Sequence, residues 1–337
     1  MKKTKGHAAV RYIVFFVSTL AVMILCICIG SVNIPLKDTV SAIFSRTEGS
    51  SAAIIAVRIR RVLCVAFTGA ALSICGGAMQ GLLKNPLADG STLGVSSGAS
   101  LGAVAAIAFG LTIPSLPLAG TIVFAMLFAF GSLMVILALA YKLDSSLATN
   151  TIILIGVIFS MFASSLISLI ITINPEKVKQ ITFWTMGSLS GATIEEAIIL
   201  FLALVIFGGV ILAMSRELNA FALGEDNALS VGVNVKRVKL TVMICVSALI
   251  GVCVSIGGTI GFVGLVIPHM MRMITGPDHR KLLPASVFAG AVFLMLSDLL
   301  SRTIVAPLEL PIGVVTSLIG AIVFVIVFFR TRKAKLC

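Results

Sequence analysis

Residues 257–272 read GGTIGFVGLVIPHMMR, followed by GPDHRK at 276–281 and ELPIG at 309–313. Apolar runs separate these segments, and the run before ELPIG carries Asp298 and Arg302 near its end. Glycine and proline interrupt regular secondary structure, so each of these segments predicts the end of a helix or a turn between helices. The layout is typical of a polytopic membrane protein whose helix ends matter as much as its helices.

The composition of the whole chain indicates the same class. Of the 337 residues, 59% are hydrophobic and only 11% are charged, and the mean hydropathy is +1.16. A soluble domain carries roughly 25% charged residues, so this chain lacks the polar side chains that a water-facing surface needs. The net charge of +12 does not indicate nucleic-acid binding, because the basic residues form short clusters between apolar runs without an aromatic face.

Ten apolar runs predict an all-α membrane protein, since a bilayer-spanning helix needs about 20 mostly apolar residues. They form a single transmembrane domain over residues 1–337, with spans at 12–32, 61–81, 92–111, 117–140, 150–172, 193–214, 239–257, 259–274, 283–300 and 311–330. The eighth is short and contains Pro268, which predicts a bent or broken helix. The first follows a basic stretch, as in a signal peptide, but it is long and lacks a clear cleavage site, so we expect an uncleaved span.

The distribution of basic residues predicts the orientation. With the N-terminus in the cytoplasm, 17 of the 25 Lys and Arg residues fall on the cytoplasmic side, as the positive-inside rule favours. An even number of spans then returns the basic C-terminus to the same side. We therefore expect a multi-pass protein of the cytoplasmic membrane with both termini inside.

Spans 2–5 and spans 7–10 are weakly similar to each other. Each set begins with a run rich in small residues that is followed by a proline, Pro86 in the first set and Pro268 in the second. Under the predicted topology span 2 runs inward and span 7 runs outward. The two sets would therefore be inverted repeats, as in many transporters.

Arginines on the outer side are the exception to the charge distribution. Arg58, Arg60 and Arg61 lie at the start of span 2, and Arg302 lies at the outer end of span 9. The planar guanidinium pairs well with carboxylates, so we expect an outer docking surface for an acidic partner. The alternative is that these side chains extend to lipid headgroups.

Two polar segments are predicted on the cytoplasmic side. Residues 215–238 are amphipathic and predict two short helices separated at Gly224, which suit a docking contact; the alternative is an ordinary loop. Residues 84–90, KNPLADG, combine proline and glycine between spans 2 and 3. They predict a cytoplasmic hinge or a plain connecting turn.

The sequence lacks the motifs of several enzyme classes and of metal sites. It has no G-x-x-x-x-G-K-[ST] phosphate loop, no HExxH motif, no Ser-His-Asp arrangement and no cysteine spacing of a metal site. Ion-coupled transporters usually place acids or histidines in mid-membrane, whereas the predicted span centres are nearly free of charge. We therefore expect a transporter subunit, not an enzyme, without a metal or cofactor of its own, whose energy comes from a partner protein.

A series of motifs in order along nearly the whole chain resembles the FecCD-type permeases of type II ABC importers, which take up iron-siderophores, haem and vitamin B12. The motifs are GGAMQ at 76–80, NPLA at 85–88, LGV at 93–95, WTMGSL at 184–189, GFVGLVIPH at 261–269, DHR at 278–280, LP at 283–284 and ELPIG at 309–313. The resemblance implies ten spans per subunit, a second permease subunit that is identical or paralogous, and two cytoplasmic ATPase subunits that bind ATP and Mg. It also implies a substrate-binding protein outside, which delivers the ligand.

The resemblance also implies three sets of site residues. The acidic groups of the binding protein would be received by Arg58, Arg61 and Arg302. Contact with the ATPase would involve Ala220, Phe221, Leu223, Gly224, Glu225, Ala228 and Gly232. The cytoplasmic gate would comprise Asn85, Leu87, Thr149 and Asn150. Arg60 and Gly90 stand where the family often has proline, which is expected to relax the backbone at both positions.

Taken together, these residues predict the permease subunit of an ATP-driven importer. The family's commonest role makes a ferric siderophore the expected substrate, with haem or vitamin B12 as alternatives for the same machinery. We expect a mostly apolar, weakly binding path, with selectivity held by the binding protein. An ion-coupled secondary transporter is the alternative of another class, and a mid-span acid essential for uptake would favour it.

Overall fold

The computed structural model describes residues 2–30, 35, 50–111, 119–145 and 147–333, and its regular elements there are all helical. In chain order the α-helices are α1 (Lys2–Cys28), α2 (Ser50–Leu82), α3 (Val95–Phe109), α4 (Ala119–Leu143), α5 (Thr149–Ile173), α6 (Val178–Thr185), α7 (Ile194–Ala213, with a π-helical turn at Leu204–Gly208), α8 (Ser215–Ala222), α9 (Glu225–Ser230), α10 (Val235–Gly257), α11 (Val263–Thr275), α12 (His279–Ser301) and α13 (Ile312–Lys333).

The predicted all-α fold is confirmed in the part of the chain that the structure describes. Seven helices are long and apolar enough to cross a bilayer, and α3, α11 and the Ile312–Val327 part of α13 add three shorter apolar segments. Each of the ten predicted spans corresponds to one of them. The largest difference at a helix end is in α2, which begins at Ser50, eleven residues before the predicted span at 61–81.

Two of the apolar helices are too short to cross a bilayer alone. With 15 residues in α3 and 13 in α11, each rises only about 20 Å, against a hydrocarbon core of about 30 Å. The break predicted at Pro268 is misplaced, because Pro268 lies inside α11. The chain is instead non-helical over residues 258–262, where Gly258 and Phe262 have positive φ values of 69° and 68°.

Helix α2 is the centre of the bundle. Of its most apolar stretch 83% is buried, against 11% for α1. Glycines allow its close contacts, since a Cβ at Gly76 would overlap the backbone of Gly264 in α11, and a Cβ at Gly69 would overlap that of Gly290 in α12. Such glycine crossings let helix backbones approach where a larger side chain would hold them apart.

Helices α2 and α12 run antiparallel, and this arrangement separates the predicted site residues into two groups at opposite ends of the bundle. The start of α2 meets the end of α12 through Arg61 and Asp298, and the end of α2 meets the start of α12 where Gly81 contacts His279. The arginines predicted for the outer face therefore lie at one end of the bundle, and the segments predicted for the cytoplasmic side lie at the other. The inverted relation between spans 2–5 and 7–10 stays a prediction.

Candidate functional site

Two of the arginines predicted for docking, Arg61 and Arg302, form an ion-pair network at one end of the bundle. Arg61 donates from Nε to Asp298 Oδ1 at 2.9 Å and from Nη1 to both carboxylate oxygens of Glu309 at 3.0 and 2.9 Å. Arg302 Nε forms an ion pair with Asp298 Oδ2 at 3.3 Å. Asp298, which is 1% exposed, is therefore shared by two guanidinium groups. The sequence did not predict Asp298 or Glu309 as their partners.

The three arginines predicted for docking are buried. Arg58, Arg61 and Arg302 are only 7%, 8% and 5% exposed, and Arg58 also donates to the carbonyl oxygens that end α1. None of the three is freely exposed in this structure. All three nevertheless line a cavity of about 390 Å³ beside Glu309, whose side chain is 44% exposed. Their contact with a binding protein stays a prediction.

Three of the sequence motifs meet in one backbone junction. Ser188 N donates to Gly257 O at 2.9 Å, and Ile312 N donates to Gly187 O at 3.1 Å. The hydroxyl of Thr259 donates to the carbonyl oxygen of Thr185. Gly187 has a φ of 77°, in the region that favours glycine, and a Cβ there would press on the Thr259 carbonyl. The motifs at 184–189, 257–261 and 309–313 thus build a single structure.

A cavity of about 350 Å³ lies next to this junction. Its polar lining consists of Asp89, Ser96, Ser97, Ser100, Ser164, Thr185 and Thr259. Its apolar lining includes Leu72, Ile167, Ile250, Val254, Ile260 and Phe262. The wall therefore mixes hydroxyl groups with apolar side chains. Apolar groups make up the larger part of this wall, and the mostly apolar path stays a prediction.

Asp89 lines this cavity, which the sequence analysis did not predict. Segment 84–90 forms a tight turn, in which Leu87 N donates to Asn85 Oδ1 at 2.9 Å and Ala88 N donates to Asn85 O at 3.0 Å. The turn leads into a short 3₁₀ helix at Gly90–Leu93 and places Asp89 and Gly90 on the cavity wall. Asn85 thus shapes the turn, and Leu87 is 51% exposed. Their role as a gate stays a prediction.

A buried lysine joins two of the predicted sets. Lys239 is 1% exposed, and its Nζ donates to Glu225 Oε2 at 2.7 Å and to Leu147 O at 3.0 Å. Glu225 in turn accepts from the Thr149 hydroxyl at 3.2 Å. One residue assigned to ATPase coupling is therefore bonded to one assigned to the gate. In the sequence, Lys239 stands out as a charged residue next to an apolar run. It was not among the predicted coupling or gate residues.

The helix pair predicted within residues 215–238 is confirmed as α8 and α9, separated at Gly224 with a φ of 123°. The assigned coupling residues face in different directions. Phe221 and Ala228 are fully buried, whereas Leu223 is 73% exposed. Ala220 is partly buried, and Gly232, with a φ of 84°, lies in the turn before α10.

Asn219 attaches α8 to the start of α12. Its Nδ2 donates to Asp278 Oδ1 at 2.7 Å, and its Oδ1 accepts from His279 N at 2.8 Å. Hydrogen bonds from Arg280, and then from Asn219, hold the pKa of Asp278 well below its usual range. Asp278 also caps the N-terminus of α12. The α8–α9 pair is therefore attached to the bundle at α8 through Asn219 and at α9 through Glu225.

The described residues contain no group of three or more His, Cys, Asp or Glu that could hold a metal ion. Asn150, the remaining predicted gate residue, is exposed at the start of α5. A bundle of apolar helices that encloses a cavity of mixed lining, with ion pairs at both ends, is typical of a membrane transport protein. Residues 18–330 match the FecCD transport family, and the chain belongs to it.

Comparisons with curated proteins agree with the family. The chain is 42% identical to an uncharacterized ABC transporter permease, YvrB of Bacillus subtilis, over 98% of this chain and 96% of that protein. It is 38% identical to the hemin transport system permease HmuU of Yersinia pestis, over 83% and 84%. It is 36% identical to the cobalamin import system permease BtuC of Halobacterium salinarum, over 83% and 73%.

A solved structure of a metal-chelate type ABC transporter in an inward-facing conformation has the same fold. It superimposes with a TM-score of 0.83 at 30% identity, covering 94% of this chain and 97% of that one. The chain is therefore a membrane-spanning permease subunit of an ABC importer and not an enzyme. This excludes the ion-coupled secondary transporter that the sequence left open, although Asp89 is an acid inside the cavity.

Proposed function

We propose that this permease moves a ferric siderophore across the cytoplasmic membrane, from an external binding protein to the cytoplasm, with energy from separate ATPase subunits that bind ATP and Mg. The observation that supports it best is the fold shared over nearly the whole chain with a metal-chelate type transporter. The relatives named for hemin and cobalamin support haem and vitamin B12 as the alternative substrates. In this arrangement a second permease subunit, identical or paralogous, faces the first across the path.

The outer end would receive the binding protein. The network of Arg58, Arg61 and Arg302 with Asp298 and Glu309 holds three cations and two anions, so it keeps a net positive charge. Glu309 is the half-exposed member, and an acid of the binding protein would take its place on Arg61. Exchanging one carboxylate for another costs less than exposing a buried guanidinium without any partner.

The opposite end would bind the ATPase on the cytoplasmic side. Helices α8 and α9 and the turn after them expose three large apolar side chains, Leu223, Leu229 and Val231, at 73%, 56% and 69%. A partner that covers these side chains would remove their apolar surface from water, which stabilises the contact. The buried Phe221 and Ala228 would hold the two helices on the bundle. Movement of α9 would then reach α5 through the Glu225–Thr149 hydrogen bond.

We infer that both termini lie on the cytoplasmic side. The gate would lie on the same side and would comprise Asn85, Leu87, Thr149 and Asn150. The support for this orientation is the excess of basic residues at that end together with the antiparallel arrangement of α2 and α12.

Uptake of radiolabelled iron tests the substrate. Cells with and without this gene would be given a panel of ferric siderophores, and parallel cultures would receive labelled haem and cobalamin. Loss of uptake for one siderophore class on deletion is expected, and an ATPase subunit inactivated in its phosphate loop should give the same loss. Retained iron uptake together with loss of cobalamin or haem uptake would replace the siderophore by that substrate.

Charge reversal tests the docking role. Arg58→Glu, Arg61→Glu and Arg302→Glu should each weaken the binding protein's affinity for the assembled transporter. Arg60, which is exposed and outside the network, provides the matched control as Arg60→Glu. Equal losses at Arg60 and Arg61 would contradict a specific docking cluster.

A further inference from the structure

A third cavity, of about 250 Å³, lies at the end of the bundle that we place on the cytoplasmic side. Four helices and the turn after α2 bound it. Its lining includes Gly81 near the end of α2, Lys84 in the turn, Arg272 in α11, Ala222 at the end of α8 and His279 at the start of α12. Because α2 is the buried centre of the bundle, the cavity lies among the helices that surround its last turn.

The lining of this cavity is basic. Lys84 and Arg272 both contribute to it, and no acid is among its lining residues in the part of the chain that the structure describes. Neither cation forms an ion pair with another described residue. The acids of α8, of α9 and of the cap of α12 lie outside the lining; they are Glu217, Glu225, Asp226 and Asp278. The cavity therefore offers two positive charges to an anionic group from outside the chain.

His279 adds a buried ring nitrogen that lacks a partner. The residue is 4% exposed, and its Nδ1 lies 2.8 Å from Asn219 Oδ1, which also accepts from His279 N. Nδ1 therefore carries the proton of that hydrogen bond. Nε2 lies against Gly81 and has no hydrogen-bond partner among the described residues. Buried polar atoms are rarely left unsatisfied, so this nitrogen independently indicates an occupant. Beside a carboxylate the protonated ring is favoured, and Nε2 becomes a donor.

The position of the cavity indicates where an anion would come from. Ala222 ends α8, and Lys84 Nζ lies 3.5 Å from where a Cβ of Gly224 would stand, in the turn between α8 and α9. Leu223, which is 73% exposed, belongs to the same turn and to the surface that we assign to the ATPase. A side chain of a partner on this surface would therefore reach the cavity. The volume holds a carboxylate together with water, since one water occupies about 30 Å³.

We propose that this cavity receives an acidic side chain of the ATPase subunit, with Lys84 and Arg272 as its positive partners. The proposal rests on the proposed contact of the ATPase with α8 and α9 and adds a charge contact beside the apolar one. Apolar contacts are non-directional, whereas complementary charges fix the register of two surfaces. The cavity would thus set how the ATPase is positioned on the two helices.

Binding of the purified ATPase subunit to the permease in phosphatidylcholine nanodiscs tests the proposal. Lys84→Gln and Arg272→Gln should each weaken the affinity at least tenfold at low salt and reduce its dependence on salt, because salt screens a charge contact. Lys84→Arg keeps the cation and should keep the affinity. Lys281→Gln is the matched control, since Lys281 is exposed at the same end but outside the cavity. Equal losses in Lys281→Gln and Lys84→Gln would overturn the proposal.

A second pair of variants keeps the test decisive if Arg272→Gln fails to fold. Ala222 is exposed and lines the cavity, so Ala222→Glu would place a carboxylate of the permease itself beside the cations. That carboxylate should compete with the acid of the ATPase and weaken binding at least fivefold more than Ala222→Gln, which has the same size without the charge. Equal affinities of the two variants would overturn the proposal.

Charge exchange identifies the acid of the ATPase. The permease variant Lys84→Glu would be combined with a panel of ATPase variants, each with one surface Asp or Glu changed to Lys. Recovery of binding by one member is expected, and recovery by none would overturn the proposal.

Leu223→Asp separates the proposal from the proposed function on which it rests. Weaker ATPase binding in Leu223→Asp with unchanged binding in Lys84→Gln and Arg272→Gln would reject the cavity contact alone. Unchanged binding in Leu223→Asp would reject the assigned ATPase surface. Native mass spectrometry in phosphatidylglycerol tests the other source of an anion. Loss of bound lipid in Lys84→Gln with unchanged ATPase affinity would assign the cavity to a headgroup and overturn the proposal.

Discussion

Lys239 Nζ lies 2.7 Å from Glu225 Oε2, and it is 1% exposed. The same ammonium donates to Leu147 O just before α5, while Glu225 accepts from Thr149 in the first turn of α5. A buried lysine is stable only when paired, so this contact fixes α9 relative to both α10 and α5. It is the one place among the described residues where a predicted coupling residue bonds to a predicted gate residue.

Glu225→Gln should destabilise the permease and weaken coupling, because the buried Lys239 would lose its counter-charge. We expect a loss of roughly 2–3 kcal/mol, somewhat below the usual range for breaking a buried pair since the Glu225 side chain is 35% exposed. Thermal unfolding of the purified transporter and the ratio of substrate moved to ATP hydrolysed measure the two effects.

The matched control is the exposed pair of Arg280 with Asp278, in which Arg280 is 59% exposed. Arg280→Gln should cost much less than Glu225→Gln, as for other surface ion pairs. Equal destabilisation by the two substitutions would contradict a special role of Lys239 and Glu225.

Glu309→Gln should strengthen docking of the binding protein several-fold at low salt, because Arg61 would lose its half-exposed partner and accept an external carboxylate more readily. Asp298→Asn should instead destabilise the permease, since Asp298 is buried between Arg61 and Arg302. Affinity for the binding protein at two salt concentrations, together with the unfolding temperature, separates these outcomes. Unchanged affinity in Glu309→Gln would show that Glu309 does not compete for Arg61.

Gly76→Ala should disrupt the crossing of α2 and α11, because the added Cβ would overlap the backbone of Gly264. Overpacking of this kind costs about 1–3 kcal/mol, and a backbone neighbour places the effect at the upper end. Gly131→Ala is the control, since no atom lies within 4 Å of a Cβ there. Detergent-solubilised stability should fall for Gly76→Ala and hold or rise for Gly131→Ala. A fall of the same size in both would contradict the crossing.

Asn219→Ala should loosen the attachment of α8 to α12 and cost about 2 kcal/mol, because a hydrogen bond to the charged Asp278 and one from the His279 backbone are lost. Asn227→Ala, which removes one hydrogen bond to Leu223 at an exposed position, should cost less than about 1 kcal/mol. Unfolding of both variants and of the native protein gives the comparison.

The pH dependence of the Asn219→Ala effect follows from Asp278. Hydrogen bonds from Arg280 and Asn219 keep the pKa of Asp278 well below its usual range, so the group contributes stability above its unfolded value of about 3.9. That contribution is lost as the pH falls through the lower folded value. His279 Nδ1 also lies 2.8 Å from Asn219 Oδ1, so the cost of Asn219→Ala should be constant only from about pH 7 to pH 8, above the ordinary pKa of histidine. A cost that varies within this window would show that another group titrates at the contact.

The sequence predicted the features that depend on neighbouring residues. Apolar runs of about 20 residues fix where helices form in lipid, since unpaired backbone groups are too costly there. The division of residues 215–238 at Gly224 followed from its amphipathic pattern, and the motifs from 76 to 313 indicated the family. The start of α2 and the break before α11 were misplaced, because an apolar run does not mark where backbone hydrogen bonding begins.

Tertiary structure alone decided which distant residues meet. Arg61 and Asp298 are 237 positions apart, and no local pattern relates them. Their pairing, that of Lys239 with Glu225 and the position of Asp89 on the cavity wall depend on how the helices pack. The sequence determined that this chain is an all-helical FecCD-type permease, because apolar length and ordered motifs are local properties. Packing decided the partners of its buried charges, because a charge removed from water is stable only beside the group that the fold brings to it.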